Sequence, residues 1–207
     1  MPGNRAVPAL ILAAALAAGC AGGQVVLYEA SDLGPRLPRK VAVLPFGNHT
    51  VSLKGPERLR PLVIRGVRDA GFEVPEAEGV DQALRGIGIT DGGQLGAVKP
   101  DELGRTLGVD GLLYGVLEDF VNQNLGAVRR RVVRLNLRLV AAESGEKLWE
   151  GVGTGQSTDV ALDQKAIERA FIEGMAVQAL ETALGTPLQR EAEAAVRELF
   201  GRFPRRR

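Results

Sequence analysis

The chain contains little cysteine, histidine or aromatic residue, and each shortage argues against a class of function. Its one cysteine, Cys20, cannot form an intramolecular disulfide, and its one histidine, His49, cannot supply a two-histidine zinc site. His49 stands between Asn48 and Thr50 in a polar stretch, so we expect a loop there rather than a catalytic triad. Aromatic residues make up 4% of the chain, too few to stack on nucleic-acid bases. We therefore expect no enzyme activity, no cofactor, no metal and no nucleic-acid partner.

Sequence patterns that bind phosphate or span a membrane are also missing. No G-x-x-x-x-G-K-[ST] loop occurs. The glycine-rich run Gly151–Gly155 is placed late in a strand with no helix directly after it, so a flexible or bulged strand end explains it better than an anion cradle. After the first 19 residues, no segment holds the roughly 20 apolar residues that a spanning helix needs.

The single cysteine stands at the end of an apolar leader. Arg5 precedes an apolar stretch from Ala6 to Ala18, which is shorter than a bilayer span and predicts a signal peptide over residues 1–19. Small residues directly before Cys20 suit the peptidase that cuts ahead of a lipid-modified cysteine. We therefore predict lipidation at Cys20, with palmitate among the acyl chains. The alternative is an ordinary leader whose cysteine becomes a free or buried thiol.

The predicted mature protein has no net charge to direct it to a polyanion. Removal of residues 1–19 removes one of the 26 basic residues, Arg5, and none of the 25 acidic residues. A neutral chain has no overall field that would attract nucleic acid or an acidic membrane. Ala21 follows the cysteine where an aspartate would favour retention in the inner membrane, so for a Gram-negative host we expect an outer-membrane anchor with the domain facing the periplasm.

The remaining sequence predicts an α/β fold of α+β character, with about five strands in a mixed sheet and helices packed on it. The predicted order is β-α-β-α-α-β-β-β-α-α, with the first strand at Val41–Phe46 and a short second one at Phe72–Val74. Apolar residues alternate with polar ones from Val133 to Leu139, the pattern of a half-buried strand. We divide the chain into a signal peptide (1–19), a lipidated tether (20–39), a periplasmic α/β domain (40–185) and a C-terminal helix with a basic tail (186–207).

A helix predicted from about Gln164 to Leu184 carries two apolar stripes, although a helix lying on a sheet needs only one. Either the last helix, Leu188–Phe200, covers the second stripe or another subunit does. The second stripe is a candidate homo-oligomer interface and consists of Ile172, Met175, Ala176, Ala179 and Ala183.

Three arginines share the face of the fourth predicted strand that lies opposite its leucines: Arg130, Arg134 and Arg138. We favour cross-strand pairing, for which the candidate carboxylates are Glu118, Glu146 and Glu150. The alternative is a contact with an anionic lipid, a glycan or an acidic partner.

Four segments in a fixed order carry a resemblance to a known family. They are Lys40–Asn48, Ala70–Pro75, Leu107–Tyr114 and Glu143–Gly151. Together they resemble a bacterial lipoprotein family typified by a meningococcal surface antigen, a family without a settled activity. The resemblance implies a fold similar to the amino-terminal domain of the Tol–Pal propeller protein and to the curli-secretion lipoprotein, and it gives a slight lean towards self-association.

These observations lead to one expected function and two alternatives. We expect an outer-membrane lipoprotein that acts, without enzymatic activity, as a structural or accessory component of an envelope secretion or transport assembly. Its partners would be the membrane, through the lipid anchor, and envelope proteins. The lipid anchor follows from Cys20, and the accessory role follows from the resemblance. The alternatives are a lipoprotein activator of a cell-wall synthase and a surface-exposed antigen.

Overall fold

The computed structural model describes residues 25–124, 128–160 and 188–206. In chain order its elements are β1 (Val26–Glu29), α1 (Leu33–Arg36), β2 (Val41–Val43), β3 (Gly47–Asn48), α2 (Gly55–Asp69), α3 (Ala77–Gly86), a 3₁₀ helix (Gly92–Ala97), α4 (Pro100–Leu107), β4 (Gly111–Asn124), β5 (Val128–Ala141), β6 (Lys147–Val160) and α5 (Gln189–Phe200). None of the helices in these ranges is long and apolar enough to cross a membrane.

The strands form one mixed sheet in the order β1-β6-β5-β4-β2, and β3 also pairs with β4. The strands β2 and β3 run parallel to β4, whereas β4, β5, β6 and β1 pair antiparallel in turn. This confirms the predicted mixed sheet with helices packed on it. The sheet has six strands rather than about five, because the short β1 and β3 join it.

The segment Phe72–Val74 differs from its predicted role as a strand. It makes a single parallel bridge, between Lys40 and Glu73. The backbone N–H of Val41 donates to the Glu73 carbonyl at 2.8 Å, and the Glu73 N–H donates to the Arg39 carbonyl at 3.0 Å. Because Gly71 and Pro75 bound the segment, only this one residue reaches the register of the sheet.

The alternating pattern of β5 places the main core on one face of the sheet. Val133, Leu135, Leu137 and Leu139 are fully buried, as is Trp149 on β6. The helices α2 and α5 cover this face and contribute side chains to the same cluster. A smaller cluster lies on the other face, where α3 and α4 cover β2 and the start of β4.

Glycines in β6 allow α5 to lie directly on the sheet. A Cβ atom at Gly153 would stand 2.6 Å from the Leu199 Cγ, and one at Gly155 would overlap the backbone of Glu191. The glycine run is therefore in the middle of β6, which continues to Val160, and is not the flexible or bulged strand end that the sequence predicted. Gly153 and Gly155 allow close packing of α5, which a side chain at either position would prevent.

Both ends of the described chain pack into this domain. The strand β1, within the predicted tether, pairs with β6, and Ala30 and Leu33 are buried behind it. At the other end, Phe203 stacks edge-on against Trp149, with ring centroids 5.0 Å apart. The backbone N–H of Arg206 donates to the Ala70 carbonyl at 2.9 Å. Arg206 is thus held against the end of α2.

Candidate functional site

A row of charged and aromatic side chains crosses four strands on the face opposite the main core. We call it the aromatic–charge row; it consists of Tyr114 on β4, Arg138 on β5, Glu150 and Lys147 on β6, and Tyr28 on β1. Tyr114, Arg138, Glu150 and Tyr28 are direct cross-strand neighbours in the sheet register. Since side chains alternate along a strand, the preceding residues Leu113 and Trp149 point into the core.

Three pairs of side chains in the row are in contact, two by cation–aromatic stacking and one by an ion pair. The Arg138 guanidinium lies over the Tyr114 ring, 5.2 Å from its centroid. The Lys147 Nζ donates to Glu150 Oε2 at 2.7 Å and lies 4.6 Å from the Tyr28 ring centroid. Each cation is thus held by an aromatic face or a carboxylate, which fixes its position at the surface.

The pKa values of two groups in the row are shifted. Burial raises the pKa of the Tyr114 hydroxyl, and the nearby Arg138 partly opposes that change. The hydrogen bond from Lys147 lowers the pKa of the Glu150 carboxyl, while its burial acts in the opposite direction. At neutral pH the row therefore presents a neutral phenol beside fixed charges of both signs.

Removing the Lys147 ammonium should raise the pKa of Glu150. When folding lowers the pKa of a carboxyl group, its charged form stabilises the folded state at pH values above the unfolded-state pKa. This stabilisation is lost as the pH falls through the folded-state pKa. In Lys147→Met we expect Glu150 to titrate at higher pH, followed by NMR of its carboxyl carbon. The matched control is Lys54→Met, because Lys54 precedes α2 and forms no ion pair with Glu150. An unchanged Glu150 titration in Lys147→Met would contradict the assigned cause.

The arginine stripe predicted from the sequence is partly paired in the structure. Arg134 Nε lies 2.9 Å from Glu118 Oε2, as the cross-strand prediction required. Arg138 faces Glu150 across the sheet but stacks on Tyr114 instead of forming an ion pair within 4 Å among the described residues. Glu146, the third candidate partner, instead binds Arg36 of α1.

The arginine next to this stripe, Arg131, lies on the core face and meets the start of α5. Its Nη2 lies 2.6 Å from Asp159 Oδ2, and its Nε lies 3.6 Å from the buried carboxylate of Glu191. Ser157 donates its hydroxyl to the same carboxylate. This cluster holds the first turn of α5 on β5 and β6 through ion pairs, although the buried Arg131 Nε itself makes no hydrogen bond within the described residues. We therefore interpret it as structural.

A second concave region lies beyond the end of β2, between α2, α3 and the 3₁₀ helix. It is a cleft of about 500 Å³ whose apolar wall includes Leu53, Ile64 and Ile89. The buried side chain of Arg60 closes its base, donating from Nε and Nη2 to the Val43 carbonyl at 3.1 and 2.9 Å. Arg60 Nη1 also donates to Asp81 Oδ1 at 2.6 Å. Nothing in the sequence pattern distinguished this arginine, since it lies within an ordinary amphipathic helix.

The other predicted site residues fall outside the described ranges. This applies to Cys20 and to the candidate interface residues Ile172, Met175, Ala176, Ala179 and Ala183. Within the described ranges, no group of three or more His, Cys, Asp and Glu side chains is placed to hold a metal ion. His49 lies in the loop after β3, where Asn48 and Thr50 hydrogen-bond to each other and to the loop backbone, in agreement with the sequence prediction.

Comparison with known proteins gives a family, a relative and two similar structures. Residues 28–202 match the model of a family described as "Putative lipoprotein GNA1162-like". The "Putative lipoprotein NMB1124/NMB1162" of Neisseria meningitidis serogroup B is 26% identical over 143 residues, which span 68% of this chain and 66% of the relative. The crystal structure of lipoprotein GNA1162 from Neisseria meningitidis aligns with a TM-score of 0.56 at 22% identity, covering 72% of this chain and 99% of that one. The PelC dodecamer from Paraburkholderia phytofirmans aligns with a TM-score of 0.41 at 19% identity, covering 63% of this chain and 80% of that one.

Proposed function

Because the chain belongs to the GNA1162-like lipoprotein family, we propose that it is an outer-membrane lipoprotein with a non-enzymatic binding domain in the periplasm. In this role it is a structural or accessory component of an envelope secretion or transport assembly. The matched family is one of lipoproteins rather than enzymes, which supports the non-enzymatic role. The observation that carries the proposed binding activity is the aromatic–charge row on the sheet face opposite the main core.

The proposed anchor is a set of acyl chains on Cys20. Each buried methylene contributes about 0.8 kcal/mol, and one chain alone binds membranes only marginally, so stable anchoring needs several chains. Since β1 begins at Val26, we shorten the proposed tether to residues 20–25. The six residue steps from Cys20 to Val26 span at most about 22 Å, which would keep the domain close to the bilayer.

Cys20→Ala should abolish lipidation. No other thiol exists in the chain, so labelled palmitate should not enter the variant, and the protein should accumulate as an unprocessed or soluble precursor. Radiolabelling and membrane fractionation measure both outcomes. In the matched variant Ala21→Asp, labelling should persist while the protein moves to the inner membrane. Undiminished labelling of Cys20→Ala would overturn the proposed anchor.

The composition of the aromatic–charge row supports binding to a protein. Tyrosine and arginine are enriched among the residues that dominate the energy of protein interfaces. Here the stacking of Arg138 on Tyr114 holds the exposed guanidinium in place, so little side-chain entropy is lost on binding. Because a cation already lies over the Tyr114 ring and another over the Tyr28 ring, stacking of a sugar ring on either tyrosine is disfavoured.

Site-specific photocrosslinking in intact cells tests the proposed binding face. A photoreactive residue at Arg138 should give discrete crosslinked products with envelope proteins, and these should be lost when Glu150→Lys reverses the charge at the centre of the row. The matched control is the same photoreactive residue at Gln82, which is exposed on α3. Identical product patterns from both positions, or none from Arg138, would contradict a partner at this face.

The tether length bears on the alternative of a cell-wall synthase activator. An activator anchored in the outer membrane has to reach through the peptidoglycan layer. A tether of residues 20–25 is shorter than the 20–39 expected from the sequence, because β1 already pairs with β6. The proposed short tether therefore favours partners that lie at the membrane itself.

A further inference from the structure

An ordered loop beside the cleft exposes two apolar side chains. Val51 is 97% exposed and Leu53 is 88% exposed, the highest values among the exposed large apolar residues of the described chain. Both lie between β3 and α2. Scattered apolar residues at a surface need no explanation, but two such side chains beside a cleft with apolar residues in its wall indicate an interaction site.

The loop holds its shape through its own hydrogen bonds. Asn48 Oδ1 accepts from the N–H and the hydroxyl of Thr50 at 3.0 and 2.8 Å. The Ser52 N–H donates to Thr50 Oγ1 at 3.1 Å, and Asn48 Nδ2 donates to the Ser52 carbonyl at 2.9 Å. The exposed side chains of Val51 and Leu53 are thus presented on a pre-organised backbone, which reduces the entropy lost on binding.

We propose that this loop and the adjoining cleft form a two-fold contact with a second copy of this chain, each loop entering the cleft of the other copy. An isologous interface requires one patch that is complementary to itself. Here a projecting apolar loop and a cleft with apolar residues in its wall adjoin on one surface, because Leu53 is part of both. A two-fold axis between the loop and the cleft places the loop of each copy at the cleft of the other copy.

Charges of opposite sign also lie beside the projecting loop and in the cleft. Lys54 directly follows the projecting loop and is exposed, and Asp91 lines the cleft. The other charged residues of the lining include Asp81, which is paired with Arg60, and Arg85. The two-fold contact brings Lys54 of each copy towards Asp91 of the other copy. No ion pair within the described residues involves Lys54 or Asp91.

The position of the patch in the sheet suits a membrane-anchored pair. The strand β1, through which the chain enters the domain, lies at one edge of the sheet, and β3 lies towards the other. The contact therefore leaves the amino-terminal segment free. Two projecting side chains per copy bury less area than a standard interface, so the association is weak and depends on concentration. Attachment of both copies to one membrane raises their effective concentration.

Sedimentation velocity of the full mature chain carrying Cys20→Ser tests the contact independently of lipidation. We expect concentration-dependent dimers, and at least a ten-fold weaker association in the double variant Val51→Asp, Leu53→Asp. The melting temperature should not fall, because both side chains are almost fully exposed. The control is Leu27→Asp, a similar change at a 49% exposed residue of β1, which should dimerise like the parent.

Crosslinking between single-cysteine variants identifies which surfaces meet. In the Cys20→Ser background, Val51→Cys mixed with Arg85→Cys on the cleft wall should give disulfide-linked dimers. Val51→Cys mixed with Ser144→Cys, in the exposed turn between β5 and β6, should not. The proposal would be overturned if the parent stayed monomeric at the highest concentration. It would also be overturned if the double variant associated as strongly as the parent, or if Val51→Cys crosslinked as well to Ser144→Cys as to Arg85→Cys.

Discussion

Leu137→Asp should leave little folded domain at room temperature. Leu137 is fully buried in the main core, and its neighbours in the sheet register are Gly115 and Gly151, so no polar side chain beside it could pair with a new carboxylate. Burying an unpaired charge is among the few changes that cost more than about 4 kcal/mol. Total stabilities of about 5–15 kcal/mol leave little margin for such a loss. Urea unfolding followed by circular dichroism measures it.

The neighbouring change Asn136→Asp is the control for that variant. Asn136 is half-buried on the opposite face, where its Nδ2 lies 3.5 Å from Glu150 Oε1. A second carboxylate beside Glu150 should cost about 1 kcal/mol, because the pair is partly exposed to solvent. If both variants unfolded at the same urea concentration, the assignment of the two sheet faces would be wrong.

Gly155→Ala should destabilise the domain strongly for a single added methyl group. The new Cβ would overlap the backbone of Glu191 and stand 2.9 Å from the Ala195 nitrogen, so α5 would have to move away from β6. Overpacking of a close contact costs about 1–3 kcal/mol and occasionally more. Moving α5 would also disturb Leu199, which is fully buried in the main core.

Gly79→Ala is the matched control, with the same chemical change in the helix α3. Beyond the neighbouring backbone of its own helix, no atom of the described chain lies within 4 Å of a Cβ built at Gly79, so the methyl group has room. Alanine favours a helix over glycine by about 0.5–1 kcal/mol, and this variant should therefore be more stable than the parent. Thermal melts of both variants should shift in opposite directions. A shift of Gly155→Ala towards higher temperature would contradict the packing of α5 on β6.

The three long strands, β4, β5 and β6, were predictable because the sequence patterns that indicate them lie within the strands or in the adjoining turns. Alternation from Val133 to Leu139 specifies which face of β5 is buried, and the turn at Ser144–Gly145 specifies the hairpin with β6. The short β1 and β3 were not predictable, since four and two residues carry too little pattern to be recognised. Their pairing is decided by the neighbouring strands rather than by their own sequence.

The site was only partly predictable for a related reason. The sequence placed Arg134 and Arg138 on one face, but it did not indicate that Tyr114 and Tyr28 would lie in the same row. That arrangement depends on the register of four strands, two of which are separated by many residues. In the same way, the packing role of the β6 glycines could not be predicted, because it depends on the position of α5, which is far along the chain.

The most direct test of the proposed lipoprotein function is mass spectrometry of the amino-terminal peptide from protein purified out of the outer-membrane fraction. The account predicts that the mature chain begins at Cys20, and that this residue carries a thioether-linked diacylglyceryl group and an amide-linked acyl chain. A peptide that retains residues before Cys20, or one that begins elsewhere and leaves the Cys20 thiol unmodified, would contradict it.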